Sequence, residues 1–225
     1  MNDFPENDTL YEFHNYGTSI KTREIFLHNY FGADNENPGV EYKMSNVFIK
    51  NLRALDTDNN KGIVVHMHSV GGEWSDGMAI FDAISNSPSY ISIIAYAQAE
   101  SMSSIIFQAA DARIITENSY FMPHYGSTDA HGDYLNVQNW VNYEKHICEV
   151  MFNIYANRCY KGKYFKEKYG GGKESIPKVK SWLKRKLKDG DWYINAEESV
   201  YYGFADGVLG DRKYPSISSI KDNTS

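Results

Sequence analysis

The stretch Tyr90-Ile91-Ser92-Ile93-Ile94-Ala95-Tyr96-Ala97-Gln98-Ala99-Glu100-Ser101-Met102-Ser103-Ser104-Ile105-Ile106-Phe107-Gln108-Ala109-Ala110 decides how this chain reads. Its first seven residues form an apolar run of the length and β-branched content of a buried strand. Its last six form an apolar run of helical character, and small residues crowd the junction around Ser101. A strand that turns sharply into a helix lifts the turn residue clear of the sheet and aims unpaired backbone N–H groups at the same spot. A serine there serves as a nucleophile, with the N–H groups holding an oxyanion. Serine is equally a favoured helix N-cap, so position alone leaves both readings standing.

The same order recurs upstream. Ile63-Val64-Val65-His66-Met67-His68 is a β-rich run that ends at Ser69-Val70-Gly71-Gly72, and Trp74 to Ile84 then carries apolar residues at helical spacing. A third apolar segment, Arg113-Ile114-Ile115-Thr116, leads to Tyr120-Phe121-Met122-Pro123-His124. Alternating strands and helices predict an α/β fold with parallel strands and right-handed crossovers. Chemistry in such sheets gathers at the carboxyl ends of the strands, where both turns and His124 fall.

Around this centre, Arg23 to His28 reads as a short strand and Asn29 to Pro38 as a loop. Met44, Val47, Phe48, Leu52 and Leu55 give Glu41 to Leu55 helical spacing. One long helix is expected from Asp133 to Tyr160. A glycine triplet, Gly170 to Gly172, breaks the chain, and Lys178 to Lys188 follows as a helix with a solvated basic face. Farther on, Asn195 suits an N-cap and Gly203 a helix terminus. Residues 1–20 read as a flexible, polar N-terminal arm, 21–210 as one domain, and 211–225 as a polar C-terminal tail.

Composition narrows the function classes. The chain of 225 residues is 42% hydrophobic, enough for one packed core. A net charge of −6 argues against a general nucleic-acid binder. No apolar run approaches the ~20 residues that a membrane span needs, so no membrane is expected. Met1 to Glu6 has neither a basic segment nor an apolar stretch, so no secretory signal is expected. Cys148 and Cys159 sit three turns apart on the long helix, about 16 Å, too far for a disulfide and consistent with a reducing, cytoplasmic setting. They form no metal pattern with any histidine. His66 and His68 face one side of their strand, but no carboxylate or cysteine group completes a metal motif beside them, so neither metal nor other cofactor is expected.

Ser69 to Gly72, Gly77 to Asp82, Gln98 to Met102, Met122 to His124 and Asp191 to Gly207 occur in an order and spacing that resemble the ClpP family, the proteolytic subunits of the Clp protease. The likeness runs from about Arg23 to Leu209. It implies a ClpP/crotonase-like fold of repeated β-β-α units, with the helix near 133–160 as a protruding handle. Carried over by position, it makes Ser101 the nucleophile, His124 its base and Asp191 the acid that orients the histidine. Gly72 and Met102 become the backbone donors of the oxyanion hole. Asp189, two residues earlier, is the competing choice of acid. The family usually has proline where Val70 stands, a small residue where Glu100 stands and glycine where Ser103 stands. Glu100 is expected to point away from the site, because its charge would otherwise repel a developing oxyanion. The family's axial-loop sequence is not recognisable at the N-terminus, and extra residues lie around Gly170 to Lys188.

The implied activity is serine endopeptidase cleavage of peptides or unfolded polypeptides. The implied assembly is a homo-oligomer of heptameric rings stacked in pairs, with an AAA+ unfoldase as a partner. Two other readings stay open. One is a crotonase-like acyl-CoA enzyme that uses Glu100. The other is a catalytically impaired ring subunit. A Ser–Lys dyad of the signal peptide peptidase kind lacks a well-placed lysine near Ser101.

Overall fold

The computed structural model describes residues 8–27 and 39–222. The expected loop at 29–38, the end of the first expected strand at His28 and the outermost parts of both termini lie outside the described residues. The elements run α1 (Asp8–Tyr16), β1 (Thr18–Ser19), β2 (Glu24–Leu27), α2 (Tyr42–Asp58), β3 (Ile63–Ser69), α3 (Trp74–Ser85), β4 (Ile91–Glu100) and α4 (Met102–Ile106). They continue with β5 (Ala112–Ile115), β6 (Tyr120–Met122), α5 (Tyr134–Cys159), α6 (Lys163–Tyr169), α7 (Ile176–Lys186), β7 (Ile194–Asn195), α8 (Ala196–Tyr202), β8 (Gly207–Val208) and α9 (Ile217–Asp222).

One sheet holds β1-β2-β3-β4-β5-β8 in that order, and β6 joins it through β4. The β2–β3, β3–β4, β4–β5, β4–β6 and β5–β8 pairs are parallel, while β1–β2 and β6–β7 are antiparallel. The fold is thus the α/β class expected. Ile63 to Met67 and Ile91 to Ala95 are buried continuously because both sheet faces are covered. On one face α2 buries Met44, Phe48, Leu52 and Leu55, a row at helical spacing, and α3 adds Ile80 and Ile84. The Glu41 carboxylate caps α2 by accepting from the Met44 and Lys43 amides at 2.8 and 2.9 Å.

The long helix is present at the expected place, and its two halves differ. Met151, Phe152, Tyr155, Ala156 and Cys159 are buried, whereas Tyr134, Leu135, Trp140, Val141 and Tyr143 are exposed. Its first half therefore stands off the body, as a handle would. The basic helix α7 lies against α5, with Lys180 paired to Glu149 at 2.8 Å and Lys184 paired to the same carboxylate. These two lysines hold the Glu149 carboxyl down at about 2.

Three sequence expectations need correction. Residues 8–16, read as part of a flexible arm, are helical, and the Phe13 ring meets Phe26 edge-on at 5.0 Å. The tail is docked as far as residue 222. Tyr214 and Ile220 pack with Val64, Ile94, Ala112 and Ile114 on the second face of the sheet. Finally, β4 does not end at Tyr96 but runs to Glu100. Its first half pairs β5 and its last three residues pair β6, with Ala97 at φ 51 between the halves.

Candidate active site

The extension of β4 sets the position of Ser101. Gln98 to Glu100 pair with Tyr120 to Met122, and the Ser101 amide donates to the Met122 carbonyl at 2.8 Å. The chain leaving β6 therefore carries His124 past Ser101. Ser101 itself has φ 52 and ψ −126, a conformation that costs a non-glycine residue about 1–3 kcal/mol. It occupies the N-cap position of α4, yet its hydroxyl makes no capping bond. Instead Ser101 Oγ is hydrogen-bonded to His124 Nε2 at 2.7 Å. The capping reading of this serine is thus set aside by the direction of its side chain.

His124 Nδ1 faces Asp191 Oδ1 at 3.2 Å. Asp191 reaches this place because β7 pairs antiparallel with β6, and because the Trp192 amide donates to the Pro123 carbonyl at 3.3 Å. The Trp192 ring packs on Trp182 of α7, Tyr202 of α8 and Phe204. Next to the histidine, the Tyr125 hydroxyl donates to the Lys184 carbonyl at 3.3 Å, and its ring meets Phe152 at 5.2 Å. Helix α7 thus touches the neighbours of both His124 and Asp191. Asp189 is exposed in the short 3-10 turn Leu187–Asp189 that follows α7.

The structure brings Gly72 and Met102 to the same cleft as Ser101 and His124. Gly71 and Gly72 have φ 94 and φ 147, which favours glycine at both. Val40 runs beside them as a parallel bridge in which its amide donates to Gly71 O at 2.5 Å and Glu73 donates to Val40 O at 2.8 Å. That bridge leaves the Gly72 N–H out of its ladder. Met102 opens α4, where a helix offers its N–H no acceptor. The cleft has a volume of 1070 Å³ and lies between the start of α3, the 125–131 loop and the exposed half of α5. Trp74, Ile105, Ile147 and Met151 supply apolar wall. Cys148 also lines it, and its thiol is pushed up by burial and by the charges of Glu144 and Glu149.

Glu100 is absent from the cleft lining, and its carboxylate accepts from the Gln98 amide at 3.3 Å. It has turned away from Ser101, which removes the group that a crotonase-like reading would employ. Both ring nitrogens of His66 are engaged, one with the Tyr96 hydroxyl at 2.9 Å and one with Glu24 at 3.1 Å, while His68 is exposed. Among the described residues no group of three or more histidine, cysteine or acidic side chains could hold a metal ion, and no helix is long and apolar enough to cross a membrane.

Sequence reading missed the hydroxyls that brace the turn. Ser104 Oγ bonds the Ser101 carbonyl at 2.5 Å and the buried Tyr155 hydroxyl at 2.6 Å. Ser103 Oγ donates to Ser69 Oγ at 2.7 Å. The run Ser101-Met102-Ser103-Ser104 was the available signal, because two further hydroxyls beside a strained serine invite a search for partners.

Comparison with known proteins agrees in extent with the fold. The sequence profile of the Clp protease family matches residues 13–212. An ATP-dependent Clp protease proteolytic subunit of Carsonella ruddii (strain PV) is 26% identical over 200 residues, covering 86% of this chain and 87% of that protein. A protein of the same description from Deinococcus radiodurans is 26% identical over 197 residues, covering 86% of this chain and 83% of its own length.

Proposed function

Since this chain belongs to the Clp protease family, we propose that it is a serine endopeptidase whose nucleophile is Ser101, whose base is His124 and whose orienting acid is Asp191. The observation that carries this reading is the 2.7 Å bond between Ser101 Oγ and His124 Nε2, backed by Asp191 on the other ring nitrogen. Neutral His124 takes the Ser101 proton as the oxygen attacks a peptide carbonyl. It then returns that proton to the leaving amine. Asp191 holds Nδ1–H and so selects the tautomer with a free Nε2 lone pair. The Gly72 and Met102 amides receive the tetrahedral oxyanion, and loss of one such donor typically raises the barrier by ~3 kcal/mol. Water then releases the acyl group by the same steps.

The substrate is an extended peptide or an unfolded polypeptide, lying along a cleft open enough to admit a chain. The apolar side chains left exposed on the first half of α5 support assembly of this chain with copies of itself, in heptameric rings stacked in pairs. The relatives are described as ATP-dependent, which supports an AAA+ unfoldase as the partner that delivers substrate, in the cytoplasm.

A fluorogenic peptide assay alongside fluorophosphonate labelling tests the chemistry. Wild-type protein is expected to cleave and to be labelled, and Ser101→Ala to do neither. Cleavage by Ser101→Ala at the wild-type rate overturns the nucleophile. An unlabelled, inactive wild type in its assembled form favours the impaired ring subunit.

A further inference from the structure

Two buried hydroxyls outside the reacting groups join the two halves of the oxyanion cradle. Ser69 ends β3 and is 3% exposed, and Ser103 is the second residue of α4 and fully buried. The Ser103 hydroxyl donates to Ser69 Oγ at 2.7 Å, and the same oxygen accepts the Gly71 amide at 3.3 Å. Gly71 immediately precedes Gly72, and Ser103 immediately follows Met102. The chain Ser103–Ser69–Gly71 therefore links the segment that presents one amide to the segment that presents the other. The link spans 34 residues of sequence.

The glycine turn needs such a tie. Gly71 and Gly72 both lie at positive φ, and with no side chains of their own they have many alternative conformations. On its outer side the turn is held by Val40. On the side that faces α4, the turn is held through the Gly71 amide, which donates to Ser69 Oγ. Because Ser69 and Ser103 are buried, removing either hydroxyl leaves the other without its partner and without water to replace it. The turn is then free to relax by fractions of an ångström, and geometry on that scale governs how well a fixed donor meets a developing charge.

We propose that Ser69 and Ser103 are positioning residues that set the spacing between the Gly72 and Met102 amides. They touch neither substrate nor reacting atoms and act through the Gly71–Gly72 backbone. The inference rests on the serine peptidase reading, so the experiment must separate the two. Ser69→Ala, Ser103→Ala and the double variant are compared with wild type and Ser101→Ala in peptide hydrolysis. Rates are taken per active site titrated with a fluorophosphonate, so that unfolded protein drops out, and for Ser101→Ala, which carries no site to titrate, per folded chain. Binding of a peptide boronate, which forms a tetrahedral adduct on the nucleophile, is measured beside kcat and KM.

The expected result is a fall in kcat on the order of ten-fold in each single variant, short of the roughly 10²–10³-fold cost of losing a donor outright. KM stays within about two-fold, and boronate affinity falls by the same factor as kcat. The double variant is no slower than the slower single one, since the hydroxyls act as one unit. Wild-type kcat and boronate affinity in both single variants, with Ser101→Ala inactive, overturn the positioning role and leave the peptidase reading intact. Equal losses in KM and kcat without a change in boronate affinity overturn it too. Full cleavage by Ser101→Ala removes Ser101 as the nucleophile, and with it the cradle that the two amides are proposed to form. If Ser103→Ala does not fold, Ser69→Ala carries the same comparison.

Discussion

Gly71 lies so close to Ser101 that a β carbon placed on it would stand 2.5 Å from the Ser101 β carbon. The same added atom would stand 2.7 Å from the Glu100 carbonyl oxygen and the Met102 amide nitrogen. These are mostly backbone atoms on both sides of the strained turn, so they cannot rotate away. The φ of 94 adds a penalty for any side chain there. Gly71→Ala is expected to lower stability by about 2–4 kcal/mol, as strain and overpacking add. It is also expected to displace Ser101, so that fluorophosphonate labelling of the remaining folded protein drops at least ten-fold. Chemical denaturation and labelling of the folded fraction check both parts, and a variant labelled at the wild-type rate counts against this close approach.

Asp191 and Asp189 are separated only by Gly190 and are distinguished by packing. The Trp192 ring, held by Trp182, Tyr202 and Phe204, seats the residue before it against His124. Asp189 sits exposed in the turn after α7. Asp191→Asn is expected to lower kcat strongly, up to the ~10⁴-fold seen when a triad acid is neutralised. The half-exposed position of Asp191 places the effect toward the lower end, about 10²–10³-fold, because water already shares its charge. Asp189→Asn is expected to stay within about two-fold of wild type. Steady-state hydrolysis by the two variants decides, and equal losses in both would remove the assignment.

The parts of the fold that could be read from sequence are those whose burial is local in pattern. Ile63 to Met67 is a continuous run, Met44, Phe48, Leu52 and Leu55 repeat at helical spacing, and Asn195 and Gly203 carry the cap chemistry that α8 uses. The parts that could not be read owe their order to distant partners. Ala97-Gln98-Ala99-Glu100 has little strand propensity and is a strand because β6 pairs with it. The tail is polar except for a few residues, and its order comes from Tyr214 and Ile220 meeting Val64 and Ile94 and from Lys221 pairing with Glu24. For the candidate site, Ser101 and His124 stood out beside turn and strand patterns. Ser69 and Ser103 did not, since a buried hydroxyl pair leaves no periodic trace. The outward turn of Glu100 was expected from repulsion alone, and the Gln98 amide supplies its physical reason.

Arg113 and Asp206 close the carboxyl-terminal part of the domain onto β5. Arg113 Nε and Nη2 reach the two Asp206 oxygens at 3.0 and 2.6 Å, and the Arg113 amide adds a third bond at 2.9 Å. The guanidinium is 6% exposed and also donates to Gln108 and the Gly203 carbonyl. Burial opposes ionisation of Asp206, but the hydrogen bonds and charge of Arg113 outweigh it and hold the carboxyl below its usual value. Asp206→Asn leaves a buried cation without its counter-charge and is expected to cost about 3 kcal/mol. An unfolding free energy from chemical denaturation that falls by less than about 0.5 kcal/mol would show that this pair contributes little.

The last helix is fastened by a cluster that depends on pH. Glu24 on β2 pairs with Lys221 of α9 and with His66 of β3, and the Tyr96 hydroxyl faces the other His66 nitrogen. Burial works against the Glu24 charge, yet the bonds from His66 and Lys221 prevail and keep its carboxyl below the ordinary value. A carboxyl depressed by folding contributes stability that is fully present above its unfolded value and is lost as pH falls through the folded one. Docking of α9 is therefore expected to hold at neutral pH and to weaken in the acid range below the usual carboxylate value. Glu24→Gln removes the charge at every pH, so it should reproduce the acid behaviour at pH 7. Hydrogen exchange of residues 217–222 reads this directly. Protection is expected to fall in Glu24→Gln at neutral pH and in wild type only on acidification, because the Lys221–Glu24 pair adds to the apolar contacts of Ile217 and Ile220 in holding α9. Unchanged protection in Glu24→Gln would mean that apolar burial, not the ion pair, holds the helix in place.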